Sequence, residues 1–190
     1  MMHEFEKFWR ENFFELGPFG YLLRARFNKR WVRFHALPNS KRYADSAQER
    51  ETILERADTL AKDVLGGAEC WLAITSPGHF ASDESPVENA IKRHHLKNAF
   101  IWRDTEEAEI DPVDWLVYAA QTRWEKDKYS DLLLSIADDL CSHALWVSSE
   151  NKSVFAPYDG GFDLIAPNAD LASAMKAKYF DWLPGRPDGL

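Results

Sequence analysis

Four basic side chains lie in two short runs in which charged and apolar residues alternate. Arg24 and Arg26 belong to the first run, and Arg33 and His35 belong to the second. Alternation is typical of β-strands, so the runs predict a hairpin that carries the four basic side chains on its outer face. Such a face would bind an anion, for example a phosphate group or an acidic partner. A solvated face whose cations pair with the chain's own acids is the alternative.

Negative charge is concentrated in a stretch of the second half of the chain, next to a tryptophan. Its candidate binding residues are Glu106, Glu107, Glu109, Asp111 and Trp115. Carboxylates beside an aromatic side chain suit docking onto a basic protein, with the indole as an anchor. An ordinary acidic loop is the alternative here.

Two pairs of titratable residues could take part in acid–base chemistry. Asp139 and His143 are four residues apart and would share a face if the predicted helix continued through them. A surface pair that caps the helix is the simpler interpretation, because a metal site needs further ligands that the sequence does not identify. Asp159 and Asp163 flank a predicted turn, which explains Asp159, whereas Asp163 would face solvent or a ligand. We therefore predict neither a metal nor a cofactor.

The sequence contains none of the short motifs that identify common catalytic or nucleotide sites. It has no glycine-rich phosphate loop, no nucleophile elbow and no HExxH metal motif. Its glycine pairs at 66–67 and 160–161 are predicted to end a helix and to form a hairpin turn. We assign no catalytic residue, and a binding protein is favoured over an enzyme.

Helical periodicity and hairpin signals predict the elements that position these residues. Helices are predicted to begin near Phe5, Ser46, Ser85, Tyr129 and Asn168. Strands are predicted at 70–75, 99–102, 115–120 and 145–147, and a hairpin at 154–166. Short strands and hairpins mixed with helices indicate an α+β fold with a mixed or antiparallel sheet and helices packed on it. We expect one globular domain over residues 1–190.

Composition indicates a protein with a large core that is not embedded in a membrane. The chain has 190 residues, of which 45% are hydrophobic and 14% aromatic. No apolar run is long enough to span a bilayer, and acids among the first residues do not fit a secretory signal. Cys70 and Cys141 are far apart, as is typical of free thiols in a reducing compartment. We therefore expect a cytoplasmic location.

The charge of the chain is uneven and favours a basic partner. The formal net charge is −8 at pH 7. Residues 1–43 carry nine Lys and Arg against four Asp and Glu, whereas residues 67–190 carry eleven against twenty-one. Nucleic-acid binding is disfavoured, because neutralising phosphates requires a basic face. Acidic charge that serves only solubility is the simpler alternative.

Several segments resemble an uncharacterised bacterial family that is described only as a domain of unknown function. The resemblance lies in FAPYDGGFDLI at 155–165, KYFDWL at 178–183, PDGL at 187–190, RFHALPNSKRY at 33–43 and ILER at 53–56. The resemblance implies that the chain is related to this family, but it implies no activity, cofactor or catalytic residue.

Small acidic, aromatic-rich bacterial proteins often act as immunity proteins against toxins, and this analogy of size and charge suggests a function. We expect a protein-binding, antitoxin-like immunity protein that neutralises a cognate toxin through the acidic stretch. The alternative is an enzyme or ligand-binding domain that uses the basic hairpin to bind an anionic small molecule. The oligomeric state stays open.

Overall fold

The computed structural model describes residues 2–14, 16–77, 85–103, 113–141 and 143–185. The α-helices in these ranges are α1 (Glu4–Phe13), α2 (Gly20–Arg26), α3 (Ala47–Leu65), α4 (Pro86–Arg93), α5 (Ser130–Ala137) and α6 (Ala169–Lys178). The strands are β1 (Trp31–His35), β2 (Glu69–Pro77), β3 (Lys97–Arg103), β4 (Asp114–Arg123), β5 (Ala144–Ser148), β6 (Val154–Tyr158) and β7 (Gly161–Ile165). Short 3₁₀ turns lie at Pro38–Ser40 and Phe180–Trp182. Within the described ranges, no helix is long and apolar enough to cross a membrane.

The seven strands form one antiparallel sheet in the order β1-β7-β6-β5-β2-β4-β3. The predicted α+β class is therefore confirmed, and the sheet is the antiparallel form of the two that the sequence allowed. A five-residue connection joins β5 to β6, and a tight hairpin joins β6 to β7, as the turn residues around Asp159 and Gly160 predicted.

Helices cover both faces of the sheet, so its central strands are buried on both sides. On β2, Cys70 and Leu72 belong to the core under α3 and α5, while Trp71 and Ala73 belong to a second core under α1. All five residues of β5 are buried. Strands buried on both faces are continuously apolar rather than alternating, which explains the uninterrupted sequence of β2.

The predicted helix boundaries rest on capping hydrogen bonds. Ser46, Ser85 and Asn168 each accept a hydrogen bond from the backbone N–H three residues further on, at 3.2, 3.1 and 2.8 Å. At the other end of α3, Gly66 takes a left-handed conformation with φ of 70°, which glycine adopts without steric cost. These local interactions made the helix starts predictable from sequence.

The predicted first strand of the basic hairpin is wrong, because that segment forms helix α2. Phe19, Leu23 and Phe27 recur every fourth residue, so the segment has a helical period as well as an alternating one. The backbone N–H of Leu23 donates to the Phe19 carbonyl at 3.1 Å, and the N–H of Phe27 donates to the Leu23 carbonyl at 2.8 Å. The segment forms a helix rather than a strand because the helix buries Leu23 completely.

The four basic residues of the predicted hairpin therefore do not share one face of a sheet. Arg24 and Arg26 lie on α2, and Arg33 and His35 lie on β1. Helix α5 ends at Ala137, so it does not continue through Asp139 and His143. The predicted helical face that would join Asp139 to His143 is consequently wrong.

Candidate functional site

A cleft opens where neighbouring strands β5 and β6 separate. Their ladder consists of only two residue pairs, Trp146 with Phe155 and Val147 with Val154. Beyond these pairs the start of β5 pairs with β2 and the end of β6 pairs with β7. Pro157 lies at the point of separation and has no N–H with which to extend the ladder. The resulting cavity has a volume of about 290 Å³.

Polar side chains from several elements converge on this cleft. They are Arg33, Asp139, His143, Tyr158, Asp159 and Asp163. Gly20 and Tyr21 at the start of α2 form one wall, and Ile136 of α5 forms another. An ideal Cβ built on Gly20 would lie 3.0 Å from the Ala156 Cβ, so the absence of a side chain lets α2 approach β6 closely.

Arg33 and Asp163 form a largely buried ion pair in the wall of the cleft. The Arg33 Nε and Nη2 atoms each donate to one Asp163 carboxylate oxygen at 2.8 Å, and Trp31 Nε1 donates to Oδ1 at 2.8 Å. Burial alone would lower the pKa of Arg33, but the hydrogen bonds and charge of Asp163 outweigh burial and raise it. The guanidinium is thus permanently charged and held in a fixed orientation.

Tyr158 and Asp159 form the outer part of the cleft. The Tyr158 ring lies against the guanidinium of Arg33, with 4.4 Å between the ring centroid and Cζ. Burial raises the pKa of Tyr158 to about 12, so its hydroxyl keeps its proton and remains a donor. Asp159 accepts hydrogen bonds from Arg42 Nε at 2.5 Å and from the Tyr43 hydroxyl at 3.1 Å, in addition to its place in the turn.

His143 closes the inner end of the cleft and is surrounded by aromatic rings. Its ring centroid lies 4.9 Å from that of Phe19 and 5.3 Å from that of Trp115. Burial lowers the pKa of His143, although the charge of Asp139 acts in the opposite direction. The imidazole is therefore neutral at pH 7. Asp139 and His143 interact through the cleft and not along a helix face.

The cleft carries more negative than positive charge. Its lining contains one guanidinium, that of Arg33, and the carboxylates of Asp139, Asp159 and Asp163. Arg42 at the rim offsets one of these carboxylates. Cys141 also lines the cleft, but burial raises its thiol pKa to about 12, so it is not a nucleophile at neutral pH.

The predicted acidic stretch connects the ends of β3 and β4. Arg103 and Asp114 pair at the base of this connection, with hydrogen bonds of 2.7 and 3.0 Å. Trp115 lies on β4 directly opposite Trp102 of β3. The remaining predicted partner-binding residues, Glu106, Glu107, Glu109 and Asp111, lie outside the described residues.

The predicted anion-binding residues are only partly brought together. Arg24 and Arg33 lie on the ring of Trp31, each with its Cζ 5.7 Å from the ring centroid. Arg26 instead lies over Phe14. His35 Nε2 is 3.2 Å from the Ser40 hydroxyl, and burial lowers the pKa of His35. Of these four basic side chains, the cleft includes Arg33 alone.

The sequence pointed to part of this site and missed the rest. Arg33 and Asp163 were candidates, but the pairing between them depends on the register of β1 and β7. Tyr158 is not among the residues that the sequence predicts for a site. A proline followed by a tyrosine at the end of an apolar strand was the available signal, since proline limits the pairing of a central strand.

Comparison with known proteins gives a family and nothing more specific. A family model described as "Domain of unknown function (DUF3885)" matches residues 19–187, which include every residue of the cleft. No curated protein and no solved structure matches the chain. Among the described residues, no group of three or more His, Cys, Asp or Glu side chains is placed to hold a metal ion.

Proposed function

Because the chain belongs to the DUF3885 family, a domain of unknown function, we propose its function from the site: it is a binding protein that captures a basic protein partner. More specifically, we propose that the chain is an immunity protein, which neutralises a toxin by occupying the toxin's basic surface. Kinship with the family was the expectation from sequence, and the match over residues 19–187 bears it out.

The observation that carries the proposal is the contact between Trp115 and His143, whose ring centroids are 5.3 Å apart. Trp115 lies next to the base of the acidic connection, and His143 lines the cleft. The base of the acidic connection and the cleft therefore lie at the same end of the sheet, where β3 ends and β4 and β5 begin. A partner bound to one would contact the other.

Charge at this end of the sheet favours a basic partner. The described cations near the cleft and the connection are each already paired, namely Arg33 with Asp163, Arg42 with Asp159 and Arg103 with Asp114. Asp139 and the four acids between residues 106 and 111 then add negative charge that these pairs do not offset. Excess charge of one sign attracts a partner of the other sign and raises its association rate.

A packed aromatic cluster lies between the base of the acidic connection and the cleft. The ring of Phe19 lies 5.1 Å from that of Trp102 and 5.1 Å from that of Trp115, and Phe19 itself is fully buried. A rigid aromatic base lowers the entropy that the surface would lose on binding, which is favourable for tight capture.

Capture with matched charge variants tests the proposal. The tagged chain would be used to isolate its partner, and the partner's affinity would be compared for two variants that each neutralise four acids. The first variant changes Glu106, Glu107, Glu109 and Asp111 to their amides. The second changes Glu125, Asp127, Glu150 and Asp170, which lie at the opposite end of the sheet or beyond it.

We expect a stoichiometric basic partner whose affinity falls at least about tenfold in the first variant and little in the second. Growth of cells that express the partner alone and with the chain tests the immunity form, and restored growth is expected. Equal affinity in both variants would contradict the proposed surface. A partner that is harmless when expressed alone would contradict the immunity form.

Anion binding remains the second candidate, because Arg33 lines the cleft and bonds Asp163 through its Nε and Nη2 atoms, not through Nη1. A thermal-shift screen with nucleotides and phosphorylated metabolites tests it, since a ligand that binds only the folded state raises the melting temperature. An unchanged melting temperature across the panel would argue against this function.

A further inference from the structure

The size of the cleft suits a single long side chain. Its volume of about 290 Å³ lies at the lower limit of the range of about 300–1,000 Å³ that is usual for small-molecule sites. Ile136, Ala144 and Pro157 give it apolar walls, against which the methylene groups of such a side chain would pack. A nucleotide would need more room than this.

The charges around the cleft favour a cation in it. Asp139 is exposed and belongs to none of the ion pairs within 4 Å among the described residues, although its charge acts on Arg42. Asp159 is shared with Arg42, whose side chain is 62% exposed and can move away into water. The neutral ring of His143 adds no positive charge. An incoming ammonium or guanidinium group would gain from Asp139 and Asp159, whereas a phosphate would be repelled by both.

The cleft already contains one guanidinium, that of Arg33. It stabilises this group through the kinds of contact that a cationic ligand would also need. The two hydrogen bonds that Arg33 donates to Asp163 and the face of Tyr158 stabilise the guanidinium in a poorly solvated position. The rings of Tyr21 and His143 also line the cleft, and their centroids are 6.4 Å apart. Carboxylates beside aromatic faces are a typical environment for a bound organic cation.

We propose that this cleft is a recognition pocket for one basic side chain, an arginine or a lysine, of the captured protein. The inference rests on the proposed function and adds to it the part of the partner that is recognised. The negative surface around the cleft would attract the partner, and the pocket would select it by one inserted residue, as hot-spot residues do in other interfaces.

Titration of the isotope-labelled protein, followed by two-dimensional NMR, tests the pocket without requiring the partner. The probes are N-acetyl-argininamide and N-acetyl-lysinamide, with N-acetyl-citrullinamide as an uncharged compound of the same shape as the first. The backbone amides of Gly20, Ala144 and Gly160 report on the cleft. We expect these amides to shift with the two cations, and not with the citrulline compound.

Two single variants and one control test which carboxylates contribute to binding of the cation. Asp139→Asn and Asp159→Asn should each weaken binding of the arginine compound about two- to fivefold, as expected for partly exposed charge pairs. Glu150→Gln removes one charge at the opposite end of the β5–β6 hairpin and should leave the affinity unchanged. Unshifted resonances from β2 and β4 would show that the Asn variants remain folded.

Other outcomes would overturn the inference. Equal shifts with the citrulline compound would mean that charge plays no part in binding, and shifts with inorganic phosphate would indicate that the cleft binds an anion.

If no cation caused localised shifts, the proposed pocket would be wrong, even if a basic partner had been captured. Much tighter binding of ethylguanidine, a free guanidine with a single positive charge, than of the blocked arginine would indicate a small metabolite. Conversely, localised cation binding without any captured partner would contradict the proposed function and leave the cation site in place.

Discussion

Arg33 on β1 lies directly opposite Asp163 on β7, and two hydrogen bonds of 2.8 Å join their side chains across the ladder. Both side chains are largely buried, with exposed fractions of 15% and 7%. Asp163 stands between Phe162 and Leu164, which are both in the core, so a charge at this position is stable only because Arg33 and Trp31 satisfy it.

Removing one partner of this pair should destabilise the protein strongly. We expect Arg33→Met to lower the free energy of unfolding by about 3 kcal/mol, because it leaves the Asp163 carboxylate buried without its cation. Urea denaturation measures the loss. Arg103→Met is the matched control, since Arg103 faces Asp114 across the β3–β4 ladder in the same way. That pair is exposed, so the control should lose less than about 1 kcal/mol. Equal losses would mean that burial does not determine the value of the Arg33 pair.

A side chain at Gly161 should be poorly tolerated. An ideal Cβ there would lie 2.1 Å from the Phe34 carbonyl oxygen, which belongs to the backbone of the neighbouring strand and cannot move away freely. We expect Gly161→Ala to lower the free energy of unfolding by about 2–3 kcal/mol. At Gly160 the nearest atom is Cε2 of the Tyr158 ring at 3.0 Å, and a side chain can shift, so Gly160→Ala should cost less. The reverse order would contradict the close approach of β1 and β7.

Stability should fall as the solution is acidified from pH 7.5 to 5.5. Burial lowers the pKa of His35, His94 and His143 below the ordinary value of 6.5. In this interval the unfolded chain therefore binds more protons than the folded one, and the free energy of unfolding decreases. One unit of lowered pKa corresponds to at most about 1.4 kcal/mol, and solvent screening reduces this contribution for the partly exposed His35 and His94. Urea midpoints at the two pH values measure the change.

A pair of variants separates the contribution of His143 from the rest. His143→Asn should reduce the pH dependence, and asparagine tolerates the positive φ of 61° at this position. His95→Asn is the control, because His95 is exposed and has a similar φ of 54°. An unchanged pH dependence in His143→Asn would show that the imidazole is not held neutral by the cleft.

Both cysteines should be unreactive in the folded protein. Burial raises the pKa of Cys70 to about 11 and that of Cys141 to about 12, and both thiols are almost completely shielded from solvent. A disulfide reagent such as DTNB at pH 8 should label neither residue in buffer and both in urea, since the thiolate is the reactive form. Labelling of Cys141 under native conditions would mean that the cleft opens more widely than the structure indicates.

Local signals in the sequence determined the α+β class, most of the helices and the β6–β7 hairpin. Capping at Ser46, Ser85 and Asn168 and the turn at Asp159-Gly160 depend on residues only a few positions apart. The interactions that stabilise these caps and this turn are therefore local in sequence. They can be inferred without knowledge of the fold. The seven residues of α2 were misassigned because so short a segment fits two periods, and only burial of Leu23 under the sheet selects the helix.

Only the tertiary structure decided what the charged residues do. Arg33 and Asp163 are 130 positions apart, and their pairing follows from the order and register of β1 and β7. The cleft exists because β5 and β6 pair over two residues and then follow different neighbours. The contact of Trp115 with His143 likewise requires β4 and β5 to flank β2. Such long-range arrangements depend on the packing of the whole chain, because no local preference distinguishes one strand order from another.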